Sequence, residues 1–183
     1  MSRHPDIECV LFSEAVLRRR VKELGRKISG DYAGRELLVV AILRGGVIFL
    51  ADLIRAISVP CALDFMAVSS YEGAASSGTA RVTFDLKRNP EGKHILLVED
   101  VADTGVTLAR LKANLRARRP ASLKTCALLD KPSGRRVALK PDYAGFRLPP
   151  GFVVGYGLDF EERYRNLPYI GLLKRRLYER ETI

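Results

Sequence analysis

Ile95–Leu108 reads ILLVEDVADTGVTL, and the order of its parts decides the fold. The stretch from Ile95 to Val98 is too apolar to face water. Continuous apolar runs of this length suit a strand covered on both faces, as in a parallel sheet. His94 to Asp100 is therefore read as a strand, and Glu99 and Asp100 emerge together where it leaves the core. Asp103-Thr104-Gly105-Val106-Thr107 then turns into a helix expected over Val106 to Arg118. The first N–H groups of that helix lack partners inside it and lie at the positive end of its dipole. A phosphate fits there. Thr104 and Thr107 add hydroxyl donors, and Gly105 lets the backbone close around the anion. Two adjacent carboxylates can accept hydrogen bonds from the hydroxyls of a Mg²⁺-associated polyol. The same residues also allow a plainer reading, in which Asp103 or Thr104 caps the helix. Capping accounts for one residue and leaves Glu99-Asp100 unexplained. The stretch is not a Walker P-loop, because GxxxxGK[ST] is absent.

Working outward, Leu37 to Leu43 (LLVVAIL) is a second continuous apolar run, followed by a helical pattern from Val47 to Ile57. Between them lies Arg44-Gly45-Gly46. A glycine pair at the carboxyl end of a strand is either a tight turn or an anion-binding loop, and both readings stand. Ser13 is a candidate N-cap for a helix that Gly30 ends. Ala62 to Ser69, Arg81 to Leu86, Leu123 to Leu129 and Phe152 to Leu158 read as further strands. Between the first two of these, SSYEGAASSG is small and polar without packing periodicity, and reads as a mobile loop. Alternating strands and helices predict an open, mainly parallel α/β sheet. Ligands of such sheets collect at the carboxyl ends of strands, where Arg44, Ser70, Glu99, Asp103, Lys131 and Asp159 all fall.

The bulk properties agree with an ordinary globular chain. It has 183 residues, 47 % of them hydrophobic and 28 % charged. A single domain over 1–183 of that size buries roughly 70 % of its unfolded surface, so its core needs no staples. The start lacks the apolar segment of a signal peptide, and no apolar run approaches membrane-spanning length. A cytoplasmic location is expected. Cys9, Cys61 and Cys126 are odd in number and lack CxxC spacing, which argues against disulfides and zinc.

The formal net charge of +10 would attract nucleic acid, an acidic membrane surface or a small polyanionic substrate alike. Its clusters, Arg18–Arg20, Arg116–Arg119 and Lys174–Arg176, lie apart and carry no interleaved aromatics to stack on bases. They read as solvated helix faces, with nucleic acid and membrane disfavoured as partners. The only histidines, His4 and His94, have neither ligand nor base spacing for a metal or triad hydrolase. Gly155-x-Gly157 lacks the third glycine of a dinucleotide fingerprint.

On these residues the chain resembles a known family. ILLVEDVADTGVTL resembles the ribose-phosphate motif of the type I phosphoribosyltransferases. LRGG at Leu43, SSYEG at Ser69, LLDK at Leu128, PDYAGF at Pro141 and FVVGYGLDFEERYRNLPYIG at Phe152 resemble the branch of that family acting on hypoxanthine and guanine. Together they span nearly the whole chain. The resemblance implies the type I fold: a central, mainly parallel sheet flanked by helices, with a small hood from the terminal segments. It also implies Mg²⁺-dependent transfer of phosphoribosyl from phosphoribosyl pyrophosphate to a 6-oxopurine by a homodimer or homotetramer.

By the same resemblance, Glu99 and Asp100 hold the ribose hydroxyls and their Mg²⁺, and Asp103, Thr104, Gly105, Val106 and Thr107 take the 5′-phosphate. Asp103 is the proposed general base near purine N7. Lys131 donates to the exocyclic O6, Phe152 stacks on the purine, and Val153 contacts it through its backbone. Asp159 binds pyrophosphate through a second, water-bridged Mg²⁺, and Arg165 contacts pyrophosphate directly. Arg44 and Gly45 form the other pyrophosphate loop, Arg44 standing where many members carry lysine. Ser70 and Tyr71 belong to a loop that closes over the site. A nucleotide- or RNA-binding regulator on the same fold is the rival of a different class.

Overall fold

The computed structural model describes residues 3–69 and 81–179. In chain order these form β1 (Ile7–Phe12), α1 (Glu14–Asp31), β2 (Leu37–Leu43), α2 (Val47–Ala56), β3 (Cys61–Ser69), β4 (Arg81–Phe84), β5 (His94–Ala102) and α3 (Val106–Ala117). Then follow β6 (Ser122–Asp130), a 3-10 turn (Pro132–Gly134), β7 (Tyr143–Arg147), β8 (Val153–Val154), β9 (Ile170–Leu173) and a 3-10 turn (Arg175–Leu177). The larger sheet has the order β4-β3-β2-β5-β6-β7, parallel except for the antiparallel edge pair β3–β4.

The two central runs were apolar throughout because both faces of this sheet are covered. Leu37, Val39, Ala41, Leu96 and Val98 point into one core with α1 and α2. Leu38, Val40, Ile42, Ile95 and Leu97, the alternate residues, point into a second core with Leu108, Leu111 and Leu115 of α3. The period of two along a strand thus splits each run between two cores. Each such fully buried aliphatic side chain contributes about 1.5–3 kcal/mol of transfer free energy.

The expected hood is a separate antiparallel sheet of order β1-β9-β8. Ile7, Val154, Tyr169 and Leu173 form its core. The amino-terminal segment is fastened to the carboxyl-terminal one by hydrogen bonds. Tyr164 donates to Asp6 at 2.8 Å, the backbone N–H of His4 donates to the Tyr169 hydroxyl at 2.9 Å, and that of Lys174 to the Asp6 carbonyl at 3.0 Å.

Several sequence expectations need correction. Phe152–Leu158 is a strand only at Val153–Val154, because Gly155, Tyr156 and Gly157 take positive φ values of 99°, 53° and 100° and bend the chain away. Its partner is β9 of the hood, so Asp159 does not sit at the end of a main-sheet strand. The strands β1, β7 and β9 were not foreseen. Helix α1 runs through Gly30 to Asp31, and Ser13 occupies its N-cap without a side-chain hydrogen bond. Two of the three basic clusters are locally compensated: Arg18 pairs with Glu14, Arg20 with Glu23, Arg118 with Asp85 and Arg119 with Glu91. Lys174–Arg176 lies instead at the 3-10 turn after β9, not on an α-helix. No helix among the described residues is long and apolar enough to cross a membrane.

Helices α1 and α2 cross at Gly25, where an added Cβ would lie 2.6 Å from Ala56 Cβ and 2.5 Å from its carbonyl oxygen. Helix propensity alone favours Gly25→Ala by about 1 kcal/mol. Overpacking outweighs it, and we expect the variant to lose about 1–3 kcal/mol in urea unfolding. A more stable Gly25→Ala protein would show that the helices separate freely.

Candidate active site

β5 carries the acids to the site. Leu96, Leu97 and Val98 are fully buried, and Glu99 and Asp100 follow half-buried while the strand continues pairing to Ala102. Asp100 Oδ1 accepts the N–H of Val101 at 2.8 Å. Burial first, and the neighbouring Asp100 second, push the Glu99 carboxyl well above its usual range. Holding two negative charges this close is unfavourable unless a cation joins them.

Asp103–Gly105 then turns into α3. The N-cap is Gly105, in the left-handed region at φ 76°, so neither Asp103 nor Thr104 is the cap. Thr104 Oγ1 instead accepts the Val106 N–H at 3.3 Å. Val106 and Thr107 occupy the first turn of α3. A cavity of about 290 Å³ opens here, lined on one side by Glu99 to Gly105 and Thr107 and on the other by Leu43, Gly45 and Val68.

The glycine pair after β2 makes the facing wall. The Leu43–Arg44 peptide bond is cis. A side chain on Gly45 would overlap the Asp100 carboxylate, and one on Gly157 would overlap the Gly45 carbonyl. The tight-turn and anion-loop readings of Arg44-Gly45-Gly46 are thus compatible: the turn is tight because it must seat against Asp100.

A second charged cluster borders the first through this Gly45–Gly157 approach. Arg165 donates to the Gly157 carbonyl at 2.9 Å and to Glu162 at 3.2 Å, and forms an ion pair with Asp159 at 2.9 Å. Arg44, largely exposed, reaches the same Glu162 carboxylate at 3.3 Å. Arg165 chiefly, with Arg44, holds the Glu162 carboxyl below its usual range. Glu161, Glu162 and Tyr164 have φ of 50°, 61° and 73°, a conformation that non-glycine residues adopt rarely.

Lys131 follows β6, and its ammonium lies 3.2 Å from Asp103 Oδ2. Its own N–H donates to the Ala102 carbonyl at 3.0 Å, fixing its turn beside Asp103–Gly105. Phe152 is 37 % exposed, enough to offer ring surface to a ligand. It meets Phe160 edge-on at 5.2 Å and Tyr178 at 5.5 Å. Val153 lies next to it in β8.

Glu99, Asp100, Asp103, Thr104, Gly105, Thr107 and Gly45 therefore share one cavity, with Lys131 joined through Asp103. Arg44, Asp159 and Arg165 form the adjoining cluster. Ser70 and Tyr71 lie outside the described residues. Glu162, which joins the two arginines, and Arg135, which lies against Gly105, escaped the sequence reading. Nothing in their spacing separates them from solvated charges. The lone Gly155-x-Gly157 was a real signal of a different kind, marking the backbone approach to Gly45. The histidines stand elsewhere: His94 bonds Ser122 at 2.8 Å, and His4 packs edge-on against Tyr164.

Among the described residues no group of three or more acids, histidines or cysteines could cage a metal ion. Two half-buried neighbouring carboxylates, one with a raised pKa, instead suit a divalent cation that takes its remaining ligands from substrate and water.

Comparison with known proteins agrees with this geometry. Residues 13–161 match the model of the phosphoribosyl transferase domain, and the chain belongs to that family. Its relatives include the hypoxanthine-guanine phosphoribosyltransferases. The Bacillus subtilis protein of that name is 48 % identical over 180 residues, covering 98 % of this chain and 99 % of the relative. A Staphylococcus aureus hypoxanthine phosphoribosyltransferase superposes with a TM-score of 0.93 at 43 % identity, over 97 % of each chain. A Listeria innocua bifunctional protein TilS/HprT is 48 % identical over 178 residues, and this chain spans only 28 % of its length.

Proposed function

We propose that this chain is a purine-salvage enzyme. It transfers the 5-phosphoribosyl group from phosphoribosyl pyrophosphate to hypoxanthine and guanine, giving IMP or GMP and pyrophosphate. The observation that carries this reading is the Lys131–Asp103 pair, 3.2 Å apart beside the phosphate loop. O6 and N7 are neighbours on one edge of a 6-oxopurine. An ammonium is only a donor and a carboxylate only an acceptor, so the pair matches a carbonyl oxygen beside a protonated N7. Adenine offers an amino group where Lys131 needs an acceptor.

Glu99 and Asp100 accept hydrogen bonds from the ribose hydroxyls, and the Asp103–Thr107 turn binds the 5′-phosphate with backbone N–H groups and both threonine hydroxyls. Phe152 stacks on the base, and the backbone of Val153 lies at its edge. Arg165 and the Arg44-Gly45 loop hold pyrophosphate, guanidinium forks suiting its oxygens. The purine N9 bonds to C1′ as the C1′–O bond breaks, the electron pair leaves with pyrophosphate, and Asp103 receives the proton from N7. The family's usual Mg²⁺, seated at Glu99 and Asp100 with a second near Asp159, would neutralise charge on the departing pyrophosphate. Asp159 is paired with Arg165 here and would have to share that carboxylate. Ser70 and Tyr71 are assigned to closing the site against water.

We also read 1–183 as one catalytic domain, in the cytoplasm, acting as a homodimer or homotetramer. Three cysteines without disulfides support a reducing compartment. Sedimentation of the purified chain would read its assembly state. The regulator alternative does not explain a donor–acceptor pair matched to a purine edge.

With Mg²⁺ and phosphoribosyl pyrophosphate, the pure protein should convert hypoxanthine and guanine and ignore adenine. Absence of IMP and GMP formation would sink the proposal. Asp103→Asn should lower kcat by about 10²–10⁴-fold, the usual worth of a general base, with little change in the KM for phosphoribosyl pyrophosphate. Unchanged turnover would remove Asp103 as the base.

Glu99 gives a pH prediction. Its raised pKa means that it keeps its proton above the ordinary carboxylate range, and its ionisation there subtracts from folded stability as pH rises. A bound cation reverses that penalty by competing with the proton. The Mg²⁺ concentration needed for half-maximal activity should therefore fall from mildly acid to neutral buffer, and Glu99→Gln should flatten the trend. A parent enzyme with a constant Mg²⁺ requirement across that range would contradict it.

A further inference from the structure

We infer that Arg135 is a positioning residue for the 5′-phosphate: its guanidinium braces the Asp103–Thr107 turn from behind and fixes the shape in which that turn receives the anion. The inference rests on the assignment of this turn to the phosphate.

Arg135 follows the 3-10 turn Pro132–Gly134, and its side chain is only 15 % exposed although it carries a permanent charge. Three acceptors hold the guanidinium. Nη2 donates to the Ala102 carbonyl at 3.0 Å and to the Asp130 carboxylate, and Nη1 donates to the Leu139 carbonyl. Ala102 ends β5 and Asp130 ends β6, and they are paired across the two strands. One planar fork thus ties together the ends of both strands from which the phosphate turn and the Lys131 turn depart. Arginine suits this task because its donors are fixed in a plane.

The contact with the turn is close. A Cβ on Gly105 would lie 3.0 Å from Arg135 Cδ and 3.0 Å from Val137 Cγ2, so the left-handed N-cap glycine rests on these side chains. The N–H of Arg136 donates to the Thr104 carbonyl at 3.0 Å. Residues 135–137 therefore form a strap under Thr104 and Gly105. The Arg135 Nε is buried without a hydrogen-bond partner, 3.7 Å from the same Gly105 position. An unmatched donor of this kind is costly. A residue needed only to neutralise Asp130 would not have to be wedged beneath the loop at that cost. Asp130 offsets much of the positive charge, so the effect on the phosphate is chiefly geometric: Thr104, Gly105 and the first N–H groups of α3 are held in one arrangement before the ligand arrives. Preorganisation of this kind strengthens anion binding because little ordering remains to be done on contact.

The test uses the full chain with Arg135→Gln and Arg135→Lys. Ribose 5-phosphate binding is measured by calorimetry, beside steady-state kinetics and a thermal melt. Arg135→Gln should weaken ribose 5-phosphate and raise the KM for phosphoribosyl pyrophosphate at least tenfold, with kcat at saturation reduced less than threefold. Arg135→Lys keeps the charge but not the fork, and should fall between parent and Arg135→Gln. A folded Arg135→Gln protein with parental KM and ribose 5-phosphate affinity would overturn the inference. So would a loss confined to kcat. Should Arg135→Gln fail to fold, parental affinity in Arg135→Lys would overturn it equally. Thr107→Val is the control for the underlying assignment. If it leaves ribose 5-phosphate binding unchanged, the phosphate site itself is misassigned; if it weakens binding while Arg135→Gln does not, only the role of Arg135 fails.

Discussion

The parallel pairing of β5 between β2 and β6 is the constraint on which the rest of the structure depends. A strand enclosed on both faces must be apolar until it clears its covering helices, and the chain can change character only at its carboxyl end. There Glu99 and Asp100 emerge, the turn at Asp103–Gly105 forms, and α3 begins. The neighbouring strands obey the same rule, so β2 delivers Gly45 and β6 delivers Lys131 to the same edge. Glu99, Asp100, Gly45 and Lys131 are each positioned by a buried strand behind them. The precision of the site is therefore borrowed from two hydrophobic cores.

How much of this was legible in the sequence follows from the same physics. The runs at Leu37–Leu43 and Ile95–Val98 announced themselves because burial on both faces leaves little room for polar residues, and Leu123–Leu129 did so through its apolar second half, Cys126–Leu129. β7 did not, since YAGFR lies at a sheet edge and buries only Tyr143 and Gly145, which leaves no apolar run to read. β1 and β9 escaped for a related reason: each is short and finds its partner at the far end of the chain, a pairing that no local pattern reveals. Gly155–Leu158 looked like the rest of a strand begun at Phe152, but positive φ at Gly155, Tyr156 and Gly157 made it a turn. At the site, the gathering of Glu99, Asp100 and the Asp103–Thr107 turn at one edge was readable from chemistry and order alone. The purine and pyrophosphate assignments came from family resemblance, because a lone lysine or arginine carries no local signature. Glu162 and Arg135 act through tertiary contacts and were invisible for that reason.

The strongly basic composition also finds its place. Arg18, Arg20, Arg118 and Arg119 meet acids on the surface, and such exposed pairs contribute little to stability. Arg44 and Arg165 share Glu162 near the site. That shared carboxylate keeps two cations close together without a ligand, which their mutual repulsion would otherwise resist.

The approach of Gly45 and Gly157 sets a different kind of limit. Where the main sheet meets the segment leaving the hood, the facing atoms are main chain on both sides. The Ile48 side chain lies beside this joint, and the main-chain contact itself leaves no room for a Cβ. Tyr156 and Leu158, on either side of Gly157, share one core with Phe49 and Leu50 of α2, so volume changes there are passed across the seam. The two halves of the pocket are thus tied together in composition as well as in position, and neither glycine can acquire a side chain without parting them.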